Sequence, residues 1–174
     1  MRFSKALNLT SVDDAEVFKL RFIQPALAMC SMLPDTGRLL DVGSGMGIPG
    51  VPVLLAKPGL YGVLVERRKK RAEFLRHIKR SLNLRADIYG KDIQNLPKLR
   101  VNAIVARAVA APGRLLSMCS RHCEDGAVAA LTVARKAEPA SVKGWQLLRV
   151  DNVQSEGEGV IVHRYVYEDV SRET

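Results

Sequence analysis

Three acidic residues, Asp41, Glu66 and Asp92, each stand at the end of a candidate strand. The first leads into the glycine-rich loop DVGSGMGIPGVP. Gly43, Gly45 and Gly47 make a G-x-G-x-G pattern with Ser44 and Met46 between them, which lets the backbone turn tightly and approach a ligand closely. Two phosphate-binding patterns fail here. The dinucleotide fingerprint needs a glycine where Ile48 stands, and the phosphate loop needs Gly-Lys-Ser/Thr, which is absent. An acidic side chain ending the second strand, the position of Glu66, accepts hydrogen bonds from ribose hydroxyls. Carboxylates at three successive strand ends suit a cationic ligand carrying ribose and adenine and repel a pyrophosphate. S-adenosylmethionine, with a sulfonium, an amino group and no phosphate, matches that demand. Asp41, Glu66, Asp92 and the loop residues Gly43, Ser44, Gly45, Met46 and Gly47 are therefore the expected cofactor contacts. Each acid also has a purely structural reading. Asp41 can cap the following helix, Glu66 can pair with Arg67 or Arg68, and Asp92 can cap a short turn over Ile93 to Leu96.

The segment ERRKKR, Glu66 to Arg71, carries a second kind of chemistry. Cations in the opening turn of a helix oppose its dipole at about 0.3–1 kcal/mol each when exposed, so helix stability does not favour them there. Binding a polyanion gives Arg67, Arg68, Lys69 and Lys70 a reason, and Arg76, Lys79 and Arg80 extend the same surface. The net charge of +9 agrees with a nucleic-acid partner, with a merely solvated basic face as the alternative. Aromatic residues are only 5%, which leaves few stacking platforms for free single strands and favours a structured ribonucleoprotein. Cys119, His122 and Cys123 lack a fourth ligand and a familiar metal spacing, so no metal is expected. His77 and His163 are expected at the surface or half-buried, with no proton-transfer partner visible in the sequence. Trp145 is expected to anchor the last helix or strand against the sheet, with base stacking as the alternative.

The elements that must position these groups alternate. Glu16 to Ile23 suits an amphipathic helix, preceded by a weak capping signal at Ser11 and Asp14 and broken or kinked at Pro25. Strands are expected over Arg38–Val42, Tyr61–Glu66, Ala86–Tyr89, Val101–Ala106 and Gly126–Val133. Helices are expected over Val51–Ala56, Lys69–Leu82 and Leu115–His122, the second with Ala72, Leu75, Ile78 and Leu82 on one face. Gln146–Val150 and Gly159–Val166, separated by SEGEG, read as an antiparallel hairpin. The fold class is α/β, a sheet parallel but for its last strand or two. All 174 residues are expected to form one domain, with a helical segment over 1–36, a cofactor-binding core over 37–133 and a hairpin region over 134–174. The chain has no apolar run that would span a membrane, no signal-peptide pattern at its start, and three cysteines, an odd number, that read as reduced thiols. A cytoplasmic location is expected, and oligomeric state leaves no mark in the sequence.

The chain resembles the GidB group of bacterial methyltransferases, which methylate guanine N7 in small-subunit ribosomal RNA. The likeness runs from ALNLTSV (Ala6 to Val12) to about Leu131. It is carried by DVGSGMGIPGVP, by IVARAVA (Ile104 to Ala110) and by Lys69-Lys70-Arg71 with Phe74-Leu75. The resemblance implies a Rossmann-like class I S-adenosylmethionine-dependent fold. It also implies that Gly43, Ile48 and the Asp92-Ile93 turn contact the cofactor, with Arg107 catalytic at the active-site mouth, near cofactor and base. Some positions depart from the family pattern. Arg21-Phe22-Ile23-Gln24-Pro25 stands for His-Ile-Leu-Asp-Ser, Ala106 for a serine, and Thr132-Val133 for Lys-Gly, with cations only later at Arg135 and Lys136.

Guanine N7 carries its own lone pair, so its methylation needs alignment rather than a general base. VARAVAAP has no Asn/Asp-Pro-Pro-aromatic motif of exocyclic-amine enzymes, and no cysteine sits as a pyrimidine-carbon nucleophile. The expected activity is methyl transfer to small-subunit ribosomal RNA, with Arg67, Arg68, Lys69, Lys70, Arg135 and Lys136 as the expected RNA-binding cations. Three alternatives stand beside it: a small-molecule methyltransferase of the same fold, a cofactor-binding homologue without activity, and, last, a dinucleotide oxidoreductase.

Overall fold

The computed structural model describes residues 12, 14–107, 110–153 and 160–169. Seven strands form one sheet: β1 (Gly37–Val42), β2 (Leu60–Val65), β3 (Ala86–Tyr89), β4 (Val101–Arg107), β5 (Cys123–Val133), β6 (Trp145–Val153) and β7 (Val160–Tyr167), in the order β3-β2-β1-β4-β5-β7-β6. The first five pair in parallel, and β7 runs antiparallel between β5 and β6. The expected α/β sheet with a terminal hairpin is the observed one. The turn SEGEG, residues 6–11 of the family likeness with the capping candidate Ser11, and Ala108-Val109 lie outside the described residues.

Strands buried on both faces read as continuous apolar runs, and β1 shows why. Leu39 and Leu40 are both fully buried because successive side chains point to opposite faces, each covered. Leu40 joins Val63, Ile104, Leu116, Leu131 and Tyr165 in one core. Leu39 joins Met29, Leu54, Leu64, Leu75 and Val105 in the other. After the short α1 (Ala15–Phe18), which buries none of its residues, the covers are α2 (Gln24–Ala28), α3 (Gly50–Ala56), α4 (Lys69–Ser81) and α5 (Pro112–Ser120). Ala72 and Leu75 of α4 are buried as the spacing requires, whereas Leu82 caps the helix and is 45% exposed.

Four expectations are corrected. Pro25 does not break the N-terminal helix. A π-helical turn over Lys19–Ile23 joins α1 to α2, and Gln24 N–H donates to the Lys19 carbonyl. Pro25 therefore sits in the first turn of a new α-helical stretch, where its missing N–H costs nothing. Helix α5 begins at Pro112 rather than Leu115, because proline fits the first helical turn. Strand β5 starts at Cys123, earlier than the apolar run suggested, because Val101 of β4 pairs with it there. His163 is fully buried, its ring beside the Tyr165 hydroxyl at 3.3 Å, because both faces of β7 are covered there, as the equally buried Val162 on the opposite face shows. His77 is exposed as expected. Trp145 is an anchor: its indole N–H donates to Ser120 Oγ of α5 at 2.9 Å and its ring packs on Tyr167. Cys119 and His122 are buried around the end of α5, and no group of three or more His, Cys, Asp or Glu among the described residues could hold a metal ion. No helix among them is long and apolar enough to cross a membrane.

Candidate functional site

Strand order reverses between β1 and β4, and in open α/β sheets a ligand crevice lies beyond the carboxyl ends of the strands at that point. A crevice of about 580 Å³ opens there. The glycine loop forms one wall. Gly43 and Ser44 donate their N–H groups to the Val65 carbonyl at 2.8 and 3.1 Å, tying the loop to the end of β2. Ser44 Oγ donates to the Asp41 carbonyl at 2.8 Å. Gly43, Ser44, Gly45, Met46 and Ile48 all face the crevice.

Glu66 follows β2 and is 5% exposed, yet its carboxylate lines the crevice. One oxygen accepts the Gly45 N–H at 3.0 Å and the other the Arg68 N–H at 2.8 Å. The carboxylate is thus fixed by backbone amides rather than by the Arg67 or Arg68 guanidinium, and each oxygen keeps a lone pair for a ligand. Asp92 fills both of its readings. It accepts the Gln94 N–H at 3.0 Å as cap of a short 3-10 turn, and with Ile93 it lines the crevice.

Two expected contacts do not reach the crevice. Asp41 is 1% exposed and faces α3, where its carboxylate accepts the Gly50 N–H at 3.2 Å. It shares the parity of Leu39, so strand alternation turns it away and leaves Val42 on the crevice side. Burial pushes its pKa up to about 7 against the Gly50 hydrogen bond. Gly47 is buried under α3: with φ +90°, a Cβ there would meet Val51 Cγ2 at 2.7 Å. It serves the turn rather than the ligand.

Arg107 ends β4, opposite Thr132 of β5, and enters the crevice. Its guanidinium carbon lies 4.2 Å from the centroid of the Phe22 ring, and burial lowers its pKa. Ala106 is core, and the Thr132 hydroxyl donates to its carbonyl at 3.3 Å. Arg67 and Arg68 line the crevice, whereas Lys69 and Lys70 are exposed in the first turn of α4. Arg135 and Lys136 are exposed in the turn after β5 and do not line it.

The sequence reading missed Phe22, Arg71, Lys91, Gln94, Arg114 and Met118 as lining residues. Arg114 and Met118 stand one helical turn apart on α5, a spacing that was legible. Nothing local marked Phe22, which arrives from an element far away in sequence. Six cations, Arg67, Arg68, Arg71, Lys91, Arg107 and Arg114, share the crevice lining with the acids Glu66 and Asp92, so a mainly cationic wall, the cationic rim, contains two carboxylates.

Residues 1–153 match the family described as GidB, rRNA small subunit methyltransferase G. The chain belongs to this family. It is 37% identical over 124 residues to ribosomal RNA small subunit methyltransferase G of Desulfotalea psychrophila, covering 67% of this chain and 57% of that protein. It is 34% identical over 146 residues to the protein of the same name from Rhizorhabdus wittichii, covering 80% and 67%. The chain spans about half the length of several such relatives. Among solved structures, a SAM-dependent methyltransferase from Aquifex aeolicus superposes with TM-score 0.67 at 16% identity, over 92% of this chain and 97% of that one. The putative methyltransferase yhhF from Escherichia coli superposes with TM-score 0.66 at 15% identity, over 92% and 90%. The GidB chain thus has the fold of S-adenosylmethionine-dependent methyltransferases, as its motifs implied.

Proposed function

We propose that this GidB-family chain transfers a methyl group from S-adenosylmethionine to guanine N7 of small-subunit ribosomal RNA. The observation that carries it is the buried Glu66 carboxylate, held by two backbone amides in a crevice that six cationic side chains also line. The fixed carboxylate suits a ribose diol. Gly43, Ser44, Gly45, Met46 and Ile48 offer backbone to a close ligand, and Asp92 with Ile93 would hold the adenine. Bound there, the cofactor supplies an electrophilic sulfonium methyl. The protein aligns the base nitrogen with that methyl and excludes water; N7 needs no proton removed, so positioning carries the rate. Arg107 stands at the mouth where cofactor and base would meet. Arg67, Arg68, Lys69 and Lys70, with Arg135 and Lys136 beyond β5, would neutralise phosphates around the target. The reading places the protein with ribosomal RNA or the small subunit, in the cytoplasm.

The test is incubation of the protein and labelled S-adenosylmethionine with small subunits lacking N7-guanine methylation at the family's site, followed by mass spectrometry of the digested RNA. Gly45→Asp is the control, since a second carboxylate placed beside Glu66 fills the cofactor wall. Methyl on guanine N7, lost in the variant, is the expected result. Cofactor binding without transfer to RNA would overturn the reading.

A further inference from the structure

The crevice holds one aromatic ring among the described residues, and that ring faces the half-buried Arg107. Phe22 sits on the π-helical turn Lys19–Ile23, an insertion that recurs at functional sites. Phe18, one turn earlier, packs against Phe22 with ring centroids 4.9 Å apart. Arg107 lies over the same ring, its guanidinium carbon 4.2 Å from the Phe22 centroid. Among the described residues no carboxylate lies within ion-pair distance of Arg107 and no acceptor takes its N–H groups.

This arrangement differs in kind from an ion pair. A carboxylate partner would fix the guanidinium by consuming its donors and cancelling its charge. A ring face fixes it through the quadrupole and leaves the donors and the charge available. We propose that Phe22 is a positioning residue for the methyl-transfer reaction: it clamps the Arg107 guanidinium at the crevice mouth so that its free N–H groups meet an acceptor on the RNA substrate, a phosphate or base carbonyl next to the reacting nitrogen. The inference rests on the methyltransferase reading. It predicts that Phe22 acts through Arg107 and not through the cofactor.

The experiment is a double-mutant cycle on the whole chain with small-subunit RNA, using Phe22→Leu, Arg107→Met and the pair, with Phe22→Tyr as the conservative variant. Loss of a desolvated cation–π contact should lower kcat by roughly 3- to 30-fold in Phe22→Leu, with the KM for S-adenosylmethionine unmoved. Phe22→Tyr should recover most of that loss. In the Arg107→Met background, Phe22→Leu should have no further effect. Independent, multiplicative losses would overturn the proposal, as would a Phe22→Leu variant with wild-type kcat or one whose main defect is cofactor KM. If the wild-type chain transfers no methyl, the functional reading falls. The same cycle read as RNA affinity then decides: coupled losses uphold the clamp and additive losses overturn it.

Discussion

Asp41 and Glu66 look alike in sequence, an acid at the end of a parallel strand, and the structure gives them opposite duties. Asp41 stands inside β1, paired with Leu64, and braces α3, whereas Glu66 lies two residues further along that register, past the end of β2, and lines the crevice. The position of each at a strand end was legible; the face was not, because it depends on where the strand stops relative to its neighbours. A carboxyl whose folded pKa is about 7, against an ordinary value of 3.8, holds its proton in the folded state while the unfolded chain releases it. The folded state therefore binds more protons between these values. Asp41's contribution to stability is full below about pH 4 and is lost as pH rises to about 7. Asp41→Asn keeps an oxygen for the Gly50 N–H and removes the titration, so its urea-unfolding free energy should lose that downward slope. A second prediction concerns Gly50 itself. A Cβ there would meet Asp41 Oδ2 at 2.5 Å, so Gly50→Ala should destabilise the protein by roughly 1–3 kcal/mol in the same measurement.

Helix α4 carries its cations where its dipole resists them. Lys69→Glu or Lys70→Glu should therefore raise stability by about 0.3–1 kcal/mol while weakening RNA binding, opposite signs that a purely structural role would not produce. Thermal melting and RNA titration on the same variants check this. The element's extent and buried face were legible from the spacing of Ala72 and Leu75. The N-terminal helix was less legible, because proline reads as a break until a π turn upstream absorbs its missing donor. Trp145 shows a dependence between elements: its indole N–H bonds Ser120 of α5, so Trp145→Phe should cost about 0.5–1.5 kcal/mol of stability without touching the crevice.

At the scale of the molecule, the reversal of strand order between β1 and β4 gathers groups from distant segments of chain. The cationic rim arises only there: Arg71 from α4, Lys91 after β3, Arg107 from β4 and Arg114 from α5 converge on one opening. RNA affinity should fall steeply with added salt, and neutralising one rim cation that contacts phosphate should shallow the slope of log K against log salt by about 1. The sequence by itself determined the alternation of strands and helices, the glycine loop, the acid after β2 and the family, because periodicity, glycine placement and motif spacing are local properties. Only the tertiary structure decided that Asp41 and Gly47 turn inward, that His163 is buried, and that Phe22 meets Arg107. Those outcomes follow from which strands become neighbours and how far each runs, which pairing across the whole sheet settles and no stretch of sequence contains.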